Sequence, residues 1–229
     1  MPPTGAIGGH VQDIVIGYFE AWSLLRRGCA GRDVSSIRYD SLTHINVAFA
    51  YIKPQTYEIY PIQGSSIAGF RSVTALKQHA PNLKVWLSIG GWDFSDNGTE
   101  TQAVWGDLAS SPAKRQSFID RLENFMVEWG FDGVDLDWEY PGAPDRGGKA
   151  EDTQNLVDLV RDIKNAFDLM HRGWGLSFTA PSSYWYLRWF DIHSMSQYVD
   201  WINLMSYDLC VETHNGKRAR CQPLTESPP

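Results

Sequence analysis

The chain has 229 residues, room for one large domain or two small ones, and with 43% apolar and 21% charged residues it has the composition of a globular protein, not a disordered one. Twenty basic against 27 acidic side chains leave a net charge of −7 with no Lys/Arg block, which argues against nucleic acid or an anionic membrane as a partner. No stretch approaches the ~18 apolar residues of a membrane span, and Met1-Pro2-Pro3-Thr4-Gly5 has neither the charged region nor the apolar core of a secretory signal. Short apolar runs then alternate with helical periodicities. Residues 13–19 and 44–51 read as buried strands. Residues 67–79 set Phe70, Val73 and Leu76 on one side of a helix, and residues 84–89 form a third strand ending in Gly90-Gly91. Ser111-Pro112 opens a second helix with a capping hydroxyl and a first-turn proline. Its stripe is Phe118, Leu122, Phe125, Met126 and Trp129, and Gly130 stops it. Residues 131–139 are a fourth strand, and residues 151–170 a helix with Leu156, Val160, Ile163, Phe167 and Met170 inward. Residues 176–180, ended by Pro181, and 199–207 are the fifth and sixth strands.

Strands alternating with helices predict right-handed βαβ units and a parallel sheet, an α/β fold. About six such units fit either a doubly wound sheet or most of a (β/α)8 TIM barrel. No GxGxxG follows the first strand and no GxxxxGK[ST] occurs, so the nucleotide-binding signatures of the doubly wound sheet are missing. Residues 11–208 are read as an incomplete barrel, and residues 209–229, polar and Pro-containing, as an atypical tail. Cys29, Cys210 and Cys221 are too few for a disulfide scaffold, and their odd number leaves at least one unpaired within the chain. With no CxxC and no paired histidines, neither a structural zinc nor another metal is expected.

The segment Asp132-Gly133-Val134-Asp135-Leu136-Asp137-Trp138-Glu139-Tyr140 carries the chemistry. Side chains along a strand alternate faces, so Asp135, Asp137 and Glu139 share one face and Val134, Leu136 and Trp138 the other. A solvated antiparallel strand shows the same alternation. Two helical segments flank this strand, however, and exposed faces usually mix charge signs because like charges repel. On the inward face of a barrel, crowded carboxyls raise one another's pKa, which lets one of them stay protonated and act as a general acid. Glu139 stands at the C-terminal end of the strand, where barrel enzymes place their chemistry. Parity also groups Trp86, Ser88 and Gly90 on the third strand, and Asn203, Met205 and Tyr207 on the sixth. Ser88 has no base at a triad-like spacing and is read as a hydrogen-bonding partner of the acids. Tyr184-Trp185-Tyr186-Leu187-Arg188-Trp189 is either a sugar-stacking rim or a loop packed on the barrel.

The run from Asp132 to Glu139 matches the DGxDxDWE signature of glycoside hydrolase family 18, the chitinases and their relatives. Ser88-Ile89-Gly90-Gly91-Trp92 resembles the family's SxGG segment, Met205-Ser206-Tyr207-Asp208 its MxYD segment, and Gly17-Tyr18-Phe19 fits its first strand. The stretch from Gly17 to Ala50 is similar to fungal chitinases related to killer-toxin subunits. The resemblance implies a TIM barrel acting on β-1,4-linked N-acetylglucosamine by a retaining mechanism in which the substrate's own acetamido group is the nucleophile. It makes Glu139 the acid, Asp137 the stabiliser of the cationic intermediate and Asp135 the partner of Asp137. Tyr207 would align the acetamido group and Asp208 bind the same sugar. Tyr18, Phe49, Trp92, Tyr140 and Met205 would line the sugar site, with core packing as the alternative for all five. Chitin or a chitooligosaccharide is the implied partner, a monomer the implied state and the extracellular space the implied location, with no organic cofactor. Two further βα units and a Trp on the last strand, usual after MxYD in the family, are not recognisable here. A non-catalytic chitooligosaccharide-binding protein or an inactive fragment therefore remain alternatives, although a binding relative typically lacks the acid at the Glu139 position.

Overall fold

The computed structural model describes residues 14–25, 34–62 and 65–207. Its strands are β1 (Ile16–Glu20), β2 (His44–Ile52), β3 (Ile59–Pro61), β4 (Lys84–Gly90), β5 (Gly133–Asp137), β6 (Gly175–Pro181) and β7 (Trp201–Met205). Six of them pair in the order β1-β2-β4-β5-β6-β7, every pair parallel, and curl into a partial barrel. Among the described strands only β3 runs antiparallel, hydrogen-bonded to the end of β2. The helices are α1 (Ile67–Thr74), α2 (Val104–Ala109), α3 (Pro112–Trp129), α4 (Asp152–Met170), α5 (Tyr184–Leu187) and α6 (Ile192–Met195).

The boundaries follow local chemistry. Ser111 caps α3 by accepting from the Lys114 backbone N–H, and Gly130 ends the helix in the left-handed region at φ 76°. The helix expected over 67–79 divides instead into α1 and a 3-10 turn, Ala75–Gln78. The fourth and sixth expected strands are shorter than their apolar runs, so Glu139 and Tyr207 each lie two residues beyond a strand end. β3, α2, α5 and α6 were not expected; at three to six residues they are too short to show a period. The three cysteines, Asp208 and the tail fall outside the described residues.

The core lies between the outer face of the sheet and the helices. Ile45, Val47, Val85, Leu87, Ile89, Val134, Leu136, Leu176 and Phe178 of the strands are buried with Phe118, Leu122 and Met126 of α3 and Leu156, Val160, Ile163 and Phe167 of α4. Burying one such side chain contributes roughly 1.5–3 kcal/mol. The inner face is filled differently. At its N-terminal end Trp86 spreads across the neighbouring strands, over Gly133 and Gly175. A Cβ on either glycine would come within 2.3 or 2.1 Å of the indole. Trp201 stacks on Trp86 at 4.2 Å, and His44 packs edge-on against both rings. This aromatic floor leaves the polar residues of the inner face above it, toward the C-terminal ends of the strands.

Candidate active site

Asp135 and Asp137 point from β5 to the inner face, opposite the buried Val134 and Leu136, and Glu139 continues the column past the strand end. Their exposures are 0%, 4% and 7%, so the three acids are crowded and nearly dry. Asp135 is held from four strands. Tyr18 Oη of β1 donates at 2.7 Å and Ser88 Oγ of β4 at 2.9 Å to one carboxylate oxygen. Ser177 Oγ of β6 donates at 2.6 Å and Asn203 Nδ2 of β7 at 2.9 Å to the other. Among the described residues these four donors, and no cation, satisfy both oxygens of the buried Asp135 side chain.

Asp137 is placed differently. It accepts one short hydrogen bond, from Thr179 Oγ1 of β6. Burial first, then the neighbouring Glu139 and Asp135, push its carboxyl well above the ordinary carboxylate range, against the opposing effect of the Thr179 bond. Adjacent residues of one strand face thus have opposite electrostatic surroundings: Asp135 sits among donors, Asp137 among acids.

The strand ends above this column are shaped by glycine. Gly90 (φ 110°) and Gly91 (φ 89°) let β4 close onto β5, where Gly91 N–H donates to the Asp137 carbonyl at 2.9 Å. A Cβ on Gly90 would lie 2.1 Å from that carbonyl oxygen, and one on Gly91 would strike the Phe49 ring at 2.9 Å. Phe49 also faces Trp22 across 6.2 Å. Trp92 follows the glycines and is half exposed, its ring edge-on to Tyr140 at 6.5 Å. Tyr140 is buried. Burial and the adjacent Glu139 carboxylate, to which it hydrogen-bonds, raise its phenol well above its ordinary value. Tyr18 is raised likewise, by burial of its hydroxyl and then by Asp135. Met205 is buried at the end of β7, while Tyr207 is 63% exposed.

The fold therefore brings Asp135, Asp137, Glu139, Tyr18 and Tyr140 into one hydrogen-bonded or electrostatically linked group, with Phe49, Trp92 and Met205 around the strand ends. Ser88, expected to serve the acids, does so. Ser177 and Thr179 were missed, although their alternation with Leu176, Phe178 and Ala180 in β6 carries the same period-two signal. The aromatic run after β6 divides. Tyr186 stacks on Tyr140 at 4.1 Å, and its hydroxyl donates to Asp145 at 2.8 Å, whereas Tyr184 and Trp185 are exposed. Among the described residues no group of three His, Cys, Asp or Glu is placed to hold a metal ion.

Residues 14–225 match the family model described as glycosyl hydrolases family 18. An endochitinase from Manduca sexta is 31% identical over 199 residues, which are 85% of this chain and 35% of that protein. The killer toxin subunits alpha/beta of Kluyveromyces lactis are 39% identical over 123 residues, 53% of this chain and 11% of that protein. Among solved structures, catalytic domain 2 of the Ostrinia furnacalis Group II chitinase, in a mutant form bound to penta-N-acetylchitooctaose, superposes with a TM-score of 0.76 at 30% identity, covering 85% of this chain and 50% of that one. The chain thus spans half, or less, of the length of these relatives.

Proposed function

Because the chain belongs to glycosyl hydrolase family 18, we propose that it hydrolyses β-1,4 linkages between N-acetylglucosamine units of chitin, with retention of configuration and the substrate's acetamido group as nucleophile. The observation that supports this reading is the buried column on β5: a multiply hydrogen-bonded Asp135, a proton-retaining Asp137 and then Glu139 beside Tyr140.

Glu139 protonates the glycosidic oxygen as the bond to the anomeric carbon breaks. The acetamido carbonyl oxygen of the sugar on the non-reducing side attacks that carbon and forms an oxazolinium ion. Asp137 faces the developing positive charge. Asp137, which burial and then Glu139 and Asp135 keep protonated, turns to accept the acetamido N–H as its own proton passes to the adjacent Asp135, and the carboxylate so formed screens the charge. Asp135, anchored by its four donors, stays in place throughout. Glu139, now a carboxylate, draws the proton from a water that attacks the anomeric carbon and reopens the ring. Tyr207, Asp208, Tyr18, Phe49, Trp92, Tyr140 and Met205 hold the sugar. Holding the acetamido group against its own anomeric carbon is an orientation effect, the kind that removes several kcal/mol of barrier.

The test is turnover of a fluorogenic chitobioside by the purified chain. Glu139→Gln should lower kcat by about 10²–10⁴-fold, the usual contribution of a general acid. An unchanged rate in that variant, or a folded wild-type chain that binds chitooligosaccharides without cleaving them, would overturn the assignment.

A further inference from the structure

Arg146 is buried at the end of the short turn Pro144–Arg146 that follows β5, and its guanidinium reaches two different loops at once. Nε donates to the Glu139 carbonyl at 3.1 Å. Nη2 donates to the Trp92 carbonyl at 2.7 Å, and Nη1 to Asp96 at 2.8 Å. The guanidinium plane also lies over the Trp92 ring, 3.8 Å from its centroid. Five fixed N–H donors on a flat cation are the chemistry that can satisfy two carbonyls and a carboxylate while stacking on an indole. Lysine has a single point of charge and cannot make that set.

We propose that Arg146 is a positioning residue that fixes the Glu139 main chain relative to the Trp92 ring, so that the acid and the aromatic wall keep one register. This rests on the functional reading above, since it takes Glu139 as the acid and Trp92 as a wall of the sugar site. The reason for such a clamp is geometric. Glu139 lies past the end of β5, where the ladder no longer sets its position, and Trp92 lies past the end of β4. Arg146 supplies the cross-tie there that the sheet supplies lower down. A displacement of about 1 Å in a catalytic group can cost on the order of 10² in rate.

The experiment compares wild type with Arg146→Lys and Arg146→Met. Arg115→Met serves as a structural control, because Arg115 is equally buried but bonds Asp162 and the Ala109 carbonyl, away from the site. Hydrogen exchange of the free chain should quicken in residues 92–96 and 137–143 of both Arg146 variants and not in the control. On the chitobioside, kcat should fall about ten- to a hundredfold in both, with a smaller rise in KM. Adding Arg146→Met to Glu139→Gln should lower kcat little further, because the two act through one group. The control should lose stability and keep its kcat. Exchange unchanged in the two segments, or loosened segments with wild-type kinetics, would overturn the proposal. If the wild-type chain lacks turnover, the functional reading fails, and exchange alone then decides whether Arg146 holds the two loops.

Discussion

At the scale of single residues the site turns on the contrast between Asp135 and Asp137. Asp135 receives hydrogen bonds from four strands, whereas Asp137 accepts from the Thr179 hydroxyl and is crowded by Glu139 and Asp135. A stability consequence follows from the raised pKa of Asp137. In the unfolded chain it ionises near the ordinary Asp value of ~3.9, while in the folded chain it keeps its proton to higher pH. The native state then binds more protons, so this group lowers stability as pH rises from the ordinary Asp range toward its folded pKa. Asp137→Asn removes that dependence. The variant should be more resistant to urea than wild type at pH 7, with the gap closing toward pH 3.5; an equal gap at both pH values would contradict the account. The shared face of the three acids was legible from period-two spacing alone. The donors around Asp135 were legible only in part, because their grouping depends on which strands become neighbours.

At the scale of elements the floor of the half-barrel depends on strand packing. Trp86 fits because Gly133 and Gly175 on the two following strands have no side chain beneath its ring. Gly133→Ala should therefore destabilise the chain by about 1–3 kcal/mol, the usual cost of overpacking, measured as a lower urea midpoint. Trp86→Leu in the same chain should recover part of that loss, whereas strict additivity of the two changes would exclude direct contact as the cause. The loops above the strands are coupled in the same manner. Arg146 reaches toward the loop after β4, and its neighbour Asp145 accepts from Trp185 Nε1 and Tyr186 Oη of α5. None of these ties carries a sequence period. They lie in turns and in one four-residue helix, where spacing says nothing about partners, and so Arg146 could not be singled out from the sequence.

At the scale of the whole molecule, β1 and β7 are the outer strands of the sheet and among the described residues each pairs on one side only. An unpaired edge offers free backbone donors and acceptors to another chain. On β7, Leu204 points to the face that in the inner strands is covered by helices, and it is exposed. These two edges should therefore make the chain associate as its concentration rises. Leu204→Lys should shift the light-scattering mass toward the monomer without lowering thermal stability, since an edge charge opposes strand pairing and no buried contact is lost. If the mass is independent of concentration in the wild-type chain, the edges are not adhesive.

The sequence by itself determined the α/β class, a parallel sheet of alternating βα units, the shared face of Asp135, Asp137 and Glu139 and the family resemblance. These depend on local periodicity and contiguous motifs, which survive without any knowledge of distant contacts. Tertiary structure alone decided which acid gathers four donors and which is buried against other acids, where Trp86 finds room, and that Arg146 ties Glu139 to Trp92. Each of these is set by groups brought together from separate strands and loops, where burial and distance, not spacing along the chain, determine the energy.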